Sequence, residues 1–227
     1  MIFFLINDIT LVKDTSSRAV YQAERKGESL WSVLMENKLI VLYILAVSGY
    51  YAVYQMYNFL MPLDLARLHG ESSSVIFGSI TSVNCISVVI FTPLITRMFS
   101  KVPESVKTMF GQLLLLSGFV VFWLSPGRIP FYYVAIIVLT WGEIFNVLAE
   151  RPYLTNRMPA SHRGRINGLA DVMRTGIAGG YQMMIGFIYQ ARASEGAWKT
   201  VLATGMFIVL LCIILIVRDR RVYGNLY

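Results

Sequence analysis

Charge is scarce in this chain. Only 15% of its 227 residues are charged and 56% are hydrophobic, whereas soluble domains carry about 25% charged residues. That shortage excludes an ordinary soluble domain of this size. Cysteine is nearly absent too: Cys85 and Cys212 both fall inside apolar runs, without metal-ligand or redox spacing, so neither a disulfide framework nor a zinc site is expected. The two histidines, His69 and His162, lie between those runs with no partner spacing, which argues against a metal role. No P-loop, GxSxG, HExxH or dinucleotide-binding fingerprint occurs, so no enzyme and no cofactor are expected. A signal peptide is missing as well: the opening MIFFLI is too short to span a membrane and lacks a basic start and a cleavage site. It reads as the trailing end of a preceding helix, as if the chain began inside a longer ancestral sequence.

What the chain has instead is long apolar runs. A bilayer core about 30 Å thick takes roughly 20 helical residues to cross, and six windows qualify: 39–63, 75–99, 106–124, 129–149, 166–190 and 198–217. They are continuously apolar and not alternating, which implies helices and not barrel strands. A helix also satisfies its own backbone polar groups in hydrocarbon. The expectation is an all-α, polytopic six-helix bundle over 38–217. Residues 1–37 would form a cytoplasmic segment, read as a linker on the membrane surface with a short amphipathic helix near Leu30–Met35 as the alternative, and residues 218–227 a cytoplasmic tail.

Basic residues mark the cytoplasmic side of short membrane loops. Fifteen fall on one side: Lys13, Arg18, Arg25, Lys26 and Lys38; Arg97, Lys101 and Lys107; Arg151, Arg157, Arg163 and Arg165; Arg218, Arg220 and Arg221. Four fall on the other: Arg67, Arg128, Arg192 and Lys199. Both termini are therefore expected in the cytoplasm, with the cell membrane as the location. The net charge of +7 is spread between spans with no aromatic-rich soluble module, so it is a topology signal and nucleic acid is not an expected partner.

Polar groups within spans usually face a bundle interior or a water-filled cavity. Span one places Ser48, Tyr51, Gln55 and Asn58 on one face, at helical spacing. Span two carries Ser79, Thr81, Asn84 and Ser87, with a kink expected at Pro93. Span four carries Thr140, Glu143, Asn146 and Glu150, and span five Asn167, Asp171, Arg174 and Gln182. Spans three and six are nearly without polar groups beyond Gln112, Ser117 and Thr204. Spans one, two, four and five thus read as cavity-lining, and three and six as lipid-facing.

With the third and sixth helices peripheral, the pattern resembles one half of a major facilitator superfamily transporter. The stretch RPYLTNRMPASHRGRINGL, Arg151 to Leu169, is similar to that family's loop between its tenth and eleventh helices. YYAVYQMYNFLMPL resembles the seventh helix of multidrug-type members. The resemblance implies the C-terminal six-helix half of a carrier, with residues 38–217 matching. In TPLITRMFSK, Arg97 and Lys101 of the family's loop pattern are present while its acid and glycine are missing. Arg97, Arg163 and Arg165 would be the cytoplasmic loop residues. The family builds its path between two halves, so a partner N-terminal half or a homodimer is implied.

Glu143 lies about seven residues from the cytoplasmic end of span four and Arg174 about eight residues into span five, depths of about 10–12 Å. The two are expected to meet, with Asp171 one turn from Arg174 as a second partner. Two readings are open: a proton- or ion-coupling carboxylate tuned by Arg174 and Asp171, or a static ion pair that fixes packing. Tyr51, Tyr54, Gln55, Asn58, Asn84, Asn146 and Gln182 are candidate substrate contacts, with interhelical hydrogen bonding as the alternative. Tyr50, Tyr51, Tyr54 and Tyr57 could wall an apolar or cationic ligand, although Tyr57, like Tyr132 and Tyr133, also suits the interfacial aromatic belt. Gly176 and Gly180, with Gly179 and Gly186, suggest close helix packing or a hinge. The expected function is secondary transport of a small solute in the lipid bilayer, including drug efflux, by a half that is split, dimeric or truncated. A non-transporting membrane scaffold is the alternative, and a channel is disfavoured because no span carries a pore loop.

Overall fold

A computed structural model of the chain describes residues 29–222, and within them every regular element is helical. The expectations for Lys13, Arg18, Arg25, Lys26 and the opening hexapeptide lie outside the described residues. The helices are α1 (Leu30–Glu36), α2 (Lys38–Tyr54), α3 (Met56–His69), α4 (Ser73–Met98), α5 (Glu104–Leu124), α6 (Ile129–Arg157) and α7 (Arg163–Val222). Short 3-10 turns at Gly70–Ser72 and Ala160–His162 join α3 to α4 and α6 to α7. α1 forms where a surface linker was the preferred reading and a short helix near Leu30–Met35 the alternative.

Counted by uninterrupted helix, four stretches are long and apolar enough to cross a membrane, not the six expected: Lys38–Met98, Glu104–Leu124, Ile129–Arg157 and Ala160–Val222. The physical reason is how tightly two of them turn. Gly70 has φ 55°, a conformation open to glycine, and α4 starts three residues later. Ala193 has φ 54° and ψ −169° inside α7, so helical hydrogen bonding resumes almost at once on either side of one reversed residue. Both stretches double back at these points. Tyr57 donates to Thr81 Oγ1 at 2.8 Å across the first reversal, and Tyr181 faces Thr204 across the second without a hydrogen bond.

The closest packing is between α5 and α6. A Cβ added at Gly142 would stand 2.6 Å from the Gly111 carbonyl oxygen, and one at Gly118 would stand 2.8 Å from the Ala135 carbonyl oxygen. These contacts are seven residues apart on each helix, two helical turns, and pair symmetrically about the Ser125–Arg128 turn, where Gly127 has φ 76°. Close approach therefore lies in spans three and four. Span five, where it was expected, is open: nothing stands within 4 Å of a Cβ at Gly176, Gly179 or Gly180, and only Phe59 approaches Gly186, at 3.5 Å.

Spans three and six are not simply lipid-facing either. Each turns one apolar face outward, through Phe110, Leu113 and Leu124 or Phe207, Leu210 and Ile214. Each also supplies the core through Leu115, Phe119 and Phe122 or Val201, Ile208 and Cys212. Gln112 is fully buried and donates to the Gly205 carbonyl across their contact. Polarity alone misplaced them because an amide paired to a backbone carbonyl is silent about which side it faces.

Candidate functional site

α2 and α3 form one membrane-length segment interrupted at Gln55, whose carbonyl accepts from the amides of both Asn58 and Phe59. The Asn58 side chain donates to the Gln55 side chain at 3.3 Å. Tyr50, Tyr51, Tyr54 and Tyr57 stack through Tyr54, with ring centroids 6.2–6.3 Å apart. Tyr57 is buried against Phe77 and Thr81, so it belongs to the bundle and not to an interfacial belt. Tyr132 is buried among Phe122 and His69, and Tyr133 shares a 2.8 Å hydrogen bond with Ser79. Tyr132 is thus enclosed by the bundle and does not face lipid as a belt residue would, while Tyr133 is half-buried.

Beside this tyrosine row, Asn84 of α4 donates to Thr140 Oγ1 at 2.8 Å and to Glu143 at 3.3 Å. The Tyr54 hydroxyl faces the same carboxylate. No described cation forms an ion pair with Glu143. Its half-buried carboxylate is met by an amide and a phenol, both neutral. Asn146, one turn further, is buried between Gly111 and Tyr50. Gln182 is half-buried on the opposite arm.

Arg174 does not reach Glu143. It donates to Glu150 at 3.1 Å and to Asp171 at 2.6 Å, with its guanidinium 5.1 Å from the Tyr51 ring centre. The expected pairing failed on register. Depth counted from the ends of the apolar windows centres the reversal near residue 158, but the turn lies at Ala160–His162. About residue 162, Arg174 mirrors Glu150. A cavity of about 10 Å³ beside Glu150, Arg174 and Ser48 has room for about one water.

Of the loop arginines, Arg97 and Arg165 are exposed, while Arg163 donates to the Thr155 carbonyl at 3.3 Å. The three do not converge. Two polar clusters went unseen in the sequence. In the first, Arg157 is buried at the end of α6. It donates to Asp219 at 2.9 and 3.0 Å, forms a 3.4 Å ion pair with Glu104, and stacks over Tyr153 at 4.0 Å. Tyr153 in turn bonds Asp219 and stacks on Tyr43 at 3.6 Å. In the second, Asp64 of α3 accepts from Ser194 at 2.6 Å and from the Trp198 indole, directly after the reversal at Ala193. The available signal was a single acid at the edge of each apolar run, masked for Asp219 by the arginines beside it.

Cys85 is exposed and Cys212 buried, both free. Among the described residues no group of histidine, cysteine and acid side chains could hold a metal ion. A family model described as Major Facilitator Superfamily matches residues 1–182. A search of curated proteins finds no match.

Proposed function

Because the chain belongs to the Major Facilitator Superfamily, a family of membrane transporters, we propose that it moves a small solute by secondary active transport as the C-terminal half of a carrier. The two doubled-back stretches each cross the membrane twice in this reading, giving six crossings with both ends in the cytoplasm of a cell-membrane protein. The observation that carries the reading is Glu143. A negative charge at membrane depth whose partners among the described residues are neutral is costly, and a coupling proton or cation would neutralise it. Arg174 is already engaged by Glu150 and Asp171, so these three serve as the fixed frame beside it.

Several features support a missing second half. The glycines of span five are open, and Val75, Val89 and Met98 of α4 with Val172, Met183 and Phe187 of α7 are exposed. These faces flank the polar one, where a partner half or a second copy would close the path. Tyr51 and Tyr54 with Gln55, Asn58, Asn84, Asn146 and Gln182 would line it. The tyrosine row favours an aromatic or cationic, drug-like solute.

The test uses the full chain with Cys85→Ser, placing single cysteines at Gln55, Glu143 and Arg174. A membrane-impermeant thiol reagent should label all three in intact membranes; failure at every position rules out an aqueous path. In a reconstituted system with the second half present, Glu143→Gln should abolish the pH dependence of transport. Unchanged dependence would remove Glu143 from coupling.

A further inference from the structure

At the end of the bundle holding Lys38 and Arg218, the start of α2 and the last turns of α7 diverge around a groove of about 450 Å³. Three cations line it: Lys38, the first residue of α2, and Arg218 and Arg221 of α7. None of the three forms an ion pair with a described residue, and among the described residues no carboxylate lines the groove. Asp219, the acid between the two arginines, is turned inward and held by Arg157 and Tyr153. The described lining of the groove is therefore positive, while Asp219 faces the other side of α7.

Below the cations the lining becomes apolar, through Leu42 and Leu45 along α2. An independent feature fixes the depth. α1 ends two residues before Lys38 and exposes Trp31 and Met35, 68% and 69% accessible, one turn apart on one face. Tryptophan so placed beside a span concentrates at the headgroup level. Positive charge at that level, above an apolar channel running inward, matches a lipid with a negative head, as basic pockets between spans generally do.

We propose that this groove binds an anionic phospholipid, its phosphate between Lys38, Arg218 and Arg221 and one acyl chain along Leu42 and Leu45. The site rests on α2 and α7 crossing the membrane and is independent of what the carrier moves. The full chain, purified in neutral detergent, is titrated with phosphatidylglycerol, phosphatidylcholine or inorganic phosphate while thermal unfolding is followed. Phosphatidylglycerol alone should raise the midpoint. The combined variant Lys38→Gln, Arg218→Gln, Arg221→Gln should need on the order of tenfold more of it or beyond. If that variant does not fold, Arg221→Gln alone, in the exposed last turn, should shift the titration in the same direction. Photocrosslinking from p-benzoylphenylalanine in place of Leu42 should add the mass of one phosphatidylglycerol. An equal response to phosphatidylcholine, stabilisation by inorganic phosphate alone, an unshifted combined variant, or a crosslink to the chain itself would each overturn the proposal.

Discussion

Two arginines in this bundle hold carboxylates, and their surroundings differ. The Arg157 side chain is 1% exposed, gripped by a fully buried Asp219 and by Glu104, and stacked on a tyrosine. The Arg174 side chain is 26% exposed, between a Glu150 at 20% and an Asp171 at 51%. The first cluster joins the ends of α5, α6 and α7, with Tyr43 of α2 packed against it, and has no spare room. The second is more open, and two helical turns along α6 from it stands Glu143, a carboxylate that no described cation pairs. Full enclosure fixes a charge in place; partial enclosure leaves it available to respond.

The contrast should appear most strongly in stability. Arg157→Ala strands Asp219 without its cation in the interior, which should cost about 3–5 kcal/mol; chemical unfolding in detergent measures it, and a loss under 1 kcal/mol would break the distinction. Next comes the glycine seam. Gly142→Ala forces a methyl into the Gly111 carbonyl and should cost about 1–3 kcal/mol, while Gly180→Ala, in open space, should change stability by less than about 0.5 kcal/mol. Equal effects in parallel thermal melts would place close packing in span five after all. At the reversal, Ala193→Gly removes the strain of a positive φ and should gain about 1 kcal/mol. Smallest of all, Arg174→Ala should cost at most about 1 kcal/mol, because water already screens part of its ion pair; a larger loss would make the open cluster structural like the closed one.

Much of this was legible in the sequence. Apolar run length located the membrane-length segments, since the bilayer imposes it, and the polar residues of spans two and four do converge, Asn84 meeting Thr140 and Glu143; from span one it is Tyr54, outside the expected stripe of Ser48, Tyr51, Gln55 and Asn58, that faces them. Register was not legible. It depends on where each turn is centred, and Pro159 to His162 shifted the Glu143–Arg174 pairing by two turns to Glu150. The number of continuous helices was not legible: the breaks between apolar windows at 64–74 and 191–197 read as loops, but the chain reverses there within the few residues around Gly70 and Ala193 and helix fills the rest. Asp219 was lost among basic neighbours, because charge counting along a chain cannot separate a side chain turned inward from two turned out.

The brevity of those reversals has a practical consequence. Between successive spans, the non-helical backbone is confined to the few residues around 70, 99–103, 125–128, 158–162 and 193. Proteases and inserted epitope tags need several residues of pliant chain, so nicking and tag tolerance between spans should concentrate at 99–103 and 158–162. At 70 and 193 a tag would have to pry apart a hairpin of two helices, the second of them pinned by Asp64.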